Sequence, residues 1–172
     1  MVTPDYARTM ARYNRWMNER LYALCAELDD AERKRDAGAF FKSIHGTLNH
    51  LLLADRVWMG RFLGKPFAVT SLAQELYSDF AELRSQRAST DDAITSWAGS
   101  LGPGDFAHEL VYMSIVNPAE RRLPMWLATT HFFNHQTHHR GQLTTLLSQR
   151  GIDPGVTDLI WLPQAQRMKD HG

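Results

Sequence analysis

His131-Phe-Phe-Asn-His135-Gln-Thr-His-His139-Arg-Gly-Gln142-Leu-Thr-Thr-Leu-Leu147 is the stretch on which the fold turns. Placed on a helical wheel with Met125 at zero, Met125, Ala128, Phe132, Phe133, Leu143, Leu146 and Leu147 gather between about 300° and 80°. That arc is the apolar stripe of an amphipathic helix. His139 falls inside it at about 320° and His135 on its edge at about 280°, whereas His131 and His138 lie toward the flank at about 240° and 220°. The helix begins near Pro124 and stops before Gly151, with proline at the start and glycine at the end.

Three further helices lie upstream. Tyr6, Met10, Tyr13, Met17, Leu21, Leu24 and Leu28 recur at steps of three or four, so the first runs over about residues 4–28, with Pro4 in its first turn. The second covers about 39–63, between Gly38 and Gly64. Phe40, Phe41, Ile44, Leu48, Leu51, Leu52, Trp58, Met59 and Phe62 spread over a wide arc of it, which suits burial on more than one side. The third covers about 71–97; Ser71 and Gln74 resemble a capping box, and residues 89–92 are a place for a kink. Gly102, Pro103 and Gly104 end helical structure, and residues 108–116 read as extended, with a turn at Asn117-Pro118. The expected architecture is all-α: one four-helix-bundle domain over residues 1–172, with a short β-hairpin before the last helix. The segment after Gly151 is expected to pack back on the bundle.

With 172 residues, 44% hydrophobic and 22% charged, the chain can bury a core without disulfides. Lysine plus arginine equals 19, as does aspartate plus glutamate, and that balance argues against a nucleic-acid partner. The single cysteine, Cys25, fits a reducing compartment and a small core residue. No signal-peptide pattern and no apolar run of spanning length is found, so no membrane partner and a cytoplasmic location are expected.

Of the eight histidines, four lie within residues 131–139. Positions four apart on a helix put two imidazoles one turn apart on one face, the spacing helical zinc sites use. The alternative for His135 and His139 is a pair of core-edge histidines bonded to backbone or water. His50, in Thr47-Leu-Asn-His50-Leu-Leu-Leu-Ala-Asp55-Arg-Val-Trp58, borders the apolar arc of the second helix and reads either as a third ligand or as a histidine capped by a neighbour. His45 is expected at the surface. His108, in the irregular region, and His171, near the chain end, are poor ligand candidates. Three imidazoles leave at least one coordination position open, and nitrogen ligands suit Zn, Ni, Cu, Co or Fe(II). Asp55 falls on the apolar side and calls for an arginine, Arg140 or Arg20; Gln142 flanks the pocket. Trp16, Trp58 and Trp126 are assigned to the core. No general base, Ser/His/Asp set or phosphate loop is found, so no catalytic residue is assigned.

Tyr13-Asn-Arg-Trp-Met-Asn-Glu-Arg-Leu21, Ser43-Ile-His-Gly-Thr-Leu-Asn-His50, Asp55-Arg-Val-Trp58, His135-Gln-Thr-His-His139-Arg-Gly-Gln142 and Gly151-Ile-Asp-Pro-Gly155 follow one another in an order that resembles the DinB/YfiT-like family of metal-dependent proteins. The resemblance runs through most of the chain. It implies a four-helix bundle holding one divalent transition metal, Zn or Ni foremost, with one histidine from the second helix and two from the last. On this sequence these are His50, His135 and His139. Relatives in the wider superfamily resemble transferases or isomerases that use low-molecular-weight thiols. The leading functional expectation is therefore a metal-dependent, thiol-dependent transferase on small molecules. A hydrolase using metal-bound hydroxide and a non-enzymatic stress-related metal protein are the alternatives. Apolar helix faces left after bundle closure are compatible with a homodimer.

Overall fold

Thr3 opens the first helix: its side-chain oxygen accepts the Tyr6 amide at 3.2 Å, and Pro4 takes a first-turn position whose missing N–H costs nothing. The computed structural model describes residues 2–115 and 119–162. In it the helices are α1 (Pro4–Ala26), α2 (Asp30–Lys34), α3 (Ile44–Phe62), α4 (Phe80–Ser100) and α5 (Met125–Ser148), and a two-stranded ribbon, β1 (Glu109–Met113) and β2 (Glu120–Pro124), lies between α4 and α5. The four long helices form the bundle. α1 packs on α4 and α5, and α3 on α5 and α4. Phe132, Phe133, Met17, Leu21, Ile44, Leu48, Leu52, Leu83, Ile94 and Leu143 fill the centre and are all essentially inaccessible.

Two helix starts differ from the sequence expectation. α3 begins at Ile44 rather than near 39, because Ser43 is its N-cap and accepts the Gly46 amide at 3.0 Å. Residues 39–42 instead make a tight turn with Lys42 at φ +65°, laid against Gly46, where a Cβ would collide with the Phe41 carbonyl. α4 begins at Phe80, not near 71: Asp79 caps it by accepting the Glu82 amide at 2.7 Å. No capping box forms at Ser71. Its hydroxyl takes the Ala73 amide, and the amides of Leu76 and Tyr77 are claimed by the Asn49 side-chain oxygen at 2.8 and 3.0 Å. α4 passes through residues 89–92 unbroken, and α2, capped by Asp29, is a short helix the periodicity did not reveal.

The ribbon matches the extended reading. Glu109 stands opposite Pro124 and Met113 opposite Glu120, antiparallel, and α5 starts directly after β2. The Asn117-Pro118 turn and His171 lie outside the described residues. Beyond Gly151 the chain returns to α1, where the Tyr13 hydroxyl donates to the Thr157 carbonyl at 2.6 Å and Leu162 is buried, while Ile160 stays exposed. Cys25 and Trp58 are buried, as expected of core residues; Trp16 is half-buried, and Trp126 is exposed. Among the described residues no helix is long and apolar enough to cross a membrane.

A charged layer crosses the bundle. Asp55 pairs with Arg87 at 2.6 Å, not with Arg140 or Arg20, because α4 packs against that side of α3. Arg87 also meets Asp91 at 2.9 Å, which takes Nδ2 donors from Asn14 and Asn18 at 3.1 and 3.0 Å. Gln136 donates to Asp55, and Arg140 to Asn14. Burial raises the Asp55 carboxyl above the usual range, and the adjoining Arg87 guanidinium opposes that rise.

Candidate metal centre

α3 carries His50 and α5 carries His135 and His139 across the same interface. Their ring centroids form a tight triangle: 4.6 Å from His50 to His139, 5.3 Å from His50 to His135 and 4.4 Å from His135 to His139. One ring nitrogen from each lies within 4.8 Å of the others, an arrangement that could hold a metal ion. His139 Nε2 faces His135 Nε2 at 3.1 Å.

The outward nitrogens of His50 and His139 have partners, whereas His135 Nδ1 is buried with none among the described residues. His50 Nδ1 lies 2.9 Å from the Leu72 carbonyl oxygen, and His139 Nδ1 lies 2.8 Å from Gln142 Oε1. Both partners are acceptors, so each Nδ1 carries the proton and each Nε2 turns a lone pair inward. His50 Nε2 is buried and has no hydrogen-bond partner among the described residues. Phe41 lies flat on the His50 ring, 3.7 Å between centroids and 17° between planes, which fixes the imidazole from its open side.

A family profile described as "DinB family" matches residues 1–170. The chain belongs to the DinB family. It is also 25% identical to "Protein DinB" of Bacillus subtilis (strain 168) over 157 residues, which cover 90% of this chain and 91% of that relative.

In this DinB-family chain the electrostatics favour neutral imidazoles. Burial pushes His50 down to about 4, against the pull of the Leu72 carbonyl, with a smaller push from His139. Burial pushes His135 down to about 3, and its histidine neighbours add to the shift. His139 is lowered too, by burial first, with the Gln142 hydrogen bond opposing. Neutral rings with inward lone pairs are the form a divalent metal requires. The donor set therefore fits: two outward N–H groups are anchored, and one buried inward nitrogen lacks any partner.

The remaining histidines do not join the ligand group, although the His131 and His138 rings lie 5.8 Å from His135 and 4.8 Å from His139, respectively. His131 and His138 are exposed on the flank of α5, as the wheel places them, and His108 is exposed near β1. His45 corrects the sequence expectation: it is buried, with Nε2 2.9 Å from the Tyr77 carbonyl, because residues 63–79 fold over that side of α3. Asn49 fastens them there. Periodicity gave no sign of the Leu72 carbonyl or of Phe41; a backbone acceptor leaves no mark in a sequence, and Phe41 looked like helix core. Beside His50 a chamber of about 610 Å³ opens between α3, the 39–42 turn and residues 73–75, with Phe40 exposed on its wall and Lys34, Lys42, Asp36 and Glu75 around it.

Proposed function

We propose that His50, His135 and His139 hold one divalent transition metal, zinc or nickel, and that the chain is a metal-dependent transferase acting on a small molecule with a low-molecular-weight thiol as co-substrate. One observation carries this reading: the three imidazoles converge with the outward nitrogens of His50 and His139 already engaged. Three protein ligands leave room for an exogenous one, the pattern of catalytic rather than closed structural sites. When bound, the metal supplies Lewis acidity that stabilises a thiolate at neutral pH.

The protein's own groups do the rest. Leu72 and Gln142 fix the tautomers of His50 and His139. Phe41 keeps the His50 ring from turning. The chamber beside His50 has space for a thiol carrier and an acceptor, with lysines and carboxylates on its walls to meet a polar co-substrate. Asp36 and Glu75 line the same chamber as His50. A homodimer and a cytoplasmic location are part of the same proposal.

The test is metal analysis by mass spectrometry on tag-free protein, reconstituted with zinc or nickel. About one metal per chain is expected, as three-histidine sites bind it. His50→Ala and His139→Ala lose it while circular dichroism stays helical. A native chain that takes up no metal after reconstitution sinks the proposal. Metal uptake without turnover of any thiol and electrophile pair sinks the transferase half alone.

A further inference from the structure

At the end of α3 the chain reverses at Gly64 (φ +65°) and runs back over Gly60. A Cβ on Gly60 would lie 2.7 Å from the Lys65 carbonyl oxygen and 2.8 Å from the Phe67 amide nitrogen, so only glycine lets residues 65–67 settle on the helix. Phe67 and the ribbon then line a common cavity of about 370 Å³. Val57, Phe67, Val111, Met113 and Ile115 give it apolar walls. Arg61 is the cation among its lining residues.

Arg61 is held in an unusual way for a surface arginine. Its guanidinium carbon lies 4.5 Å from the Trp58 ring centroid and 4.2 Å from that of Tyr112, between two aromatic faces that fix its plane. Among the described residues it has no ion-pair partner and no hydrogen-bond acceptor. The carboxylate at the cavity edge, Glu120, is engaged by Arg122 at 2.8 Å and does not neutralise it. An oriented guanidinium with no partner among the described residues, beside an apolar cavity, fits a planar carboxylate taken in two parallel hydrogen bonds, with an apolar body filling the space behind it.

We propose that the cavity between the end of α3 and the β-ribbon is a binding site for a small carboxylic acid with an apolar body, its carboxylate held by Arg61. The site uses none of the three clustered histidines and stands or falls apart from the metal.

The experiment titrates the full-length chain with 3-phenylpropionate and with its amide, 3-phenylpropanamide, by calorimetry and by methyl NMR. The acid binds and shifts the methyl signals of Val57, Val111, Met113 and Ile115; the amide binds at least about tenfold more weakly, since it lacks the charge. Arg61→Gln loses at least about tenfold in acid affinity. Val111→Glu, at an exposed ribbon position that places no demand on folding, weakens the acid in the same direction by putting a negative charge at the rim. His139→Ala keeps the affinity, which separates this site from the metal reading. No binding of the acid, equal binding of the amide, shifts confined to other methyl groups, or wild-type affinity in both natively folded Arg61→Gln and Val111→Glu would each overturn the proposal.

Discussion

Gln142 and Leu72 show how much of the candidate centre is set by groups that never face the metal. Gln142 Oε1 accepts from His139 Nδ1 at 2.8 Å, so losing it frees the ring to flip its tautomer and turn. Gln142→Leu is expected to weaken metal affinity by about 10–100-fold, the usual cost of removing such a partner, with helicity unchanged. Competition with a chromophoric chelator checks this; unchanged affinity would show that Gln142 does not orient the ring. The buried imidazoles also set an acid limit. His50 and His135 sit at about 4 and about 3 in the folded chain, against 6.5 ordinarily. Below pH 6.5 the unfolded chain binds protons that the folded one refuses, so the metal-free protein is stable above that pH and loses stability as pH falls toward 4. Urea midpoints at pH 7.5 and 5 would show the decline, and His135→Leu would make it shallower. A midpoint that rises on acidification would contradict the neutral assignment.

At the scale of elements, residues 63–79 matter most, because they bury His45 and supply the Leu72 carbonyl to His50. Asn49 holds them by three hydrogen bonds, two accepted from the Leu76 and Tyr77 amides and one donated to the Tyr77 carbonyl, and a fourth to the His45 carbonyl ties its side chain to α3 itself. Asn49→Ala is expected to cost about 1 kcal/mol, since it leaves the half-buried Leu76 and Tyr77 amides without their acceptor, and to expose this segment to limited proteolysis before the helices. Cleavage first within a long helix would argue against that anchor. The same segment explains what a sequence can and cannot disclose. α5 was legible end to end because its stripe keeps one period and ends in Pro124 and Gly151, and the inward aim of His139 came with it. Leu72 and Leu76 also lie four apart, yet they belong to a loop; apolar spacing records what must be buried, not which backbone carries it. Phe40 and Phe41 extended the apolar run upstream of α3 in the same misleading way, and Ser43, the true cap, went unread. The burial of His45 depends on contacts 28 to 32 residues distant, beyond any local window. His50 lay at the border of its stripe, and the family resemblance, rather than periodicity, brought it into the cluster.

For the molecule as a whole, the layer of Asp55, Arg87, Asp91 and Arg140 sets the register of the four helices. Two acids and two arginines, all buried, balance each other; Asn14 and Asn18 donate to Asp91, Gln136 donates to Asp55 and Arg140 donates to Asn14, while Arg87 Nε, Arg140 Nε and Gln136 Oε1 have no hydrogen-bond partner among the described residues. Removing one member leaves an uncompensated charge inside. Asp55→Ala is expected to lower the unfolding free energy by about 3–5 kcal/mol, read from urea melts. A loss below about 1 kcal/mol, the size of a surface pair, would mean that water reaches Arg87.

Cys25 lies at 0% exposure, with its thiol pushed up to about 12 by burial. The folded chain is therefore chemically silent toward maleimides and disulfide reagents. A cysteine introduced at an exposed position such as Phe40, on the chamber wall, could carry a spectroscopic probe with no competing label, and distances from that probe would report on the chamber in the otherwise native protein.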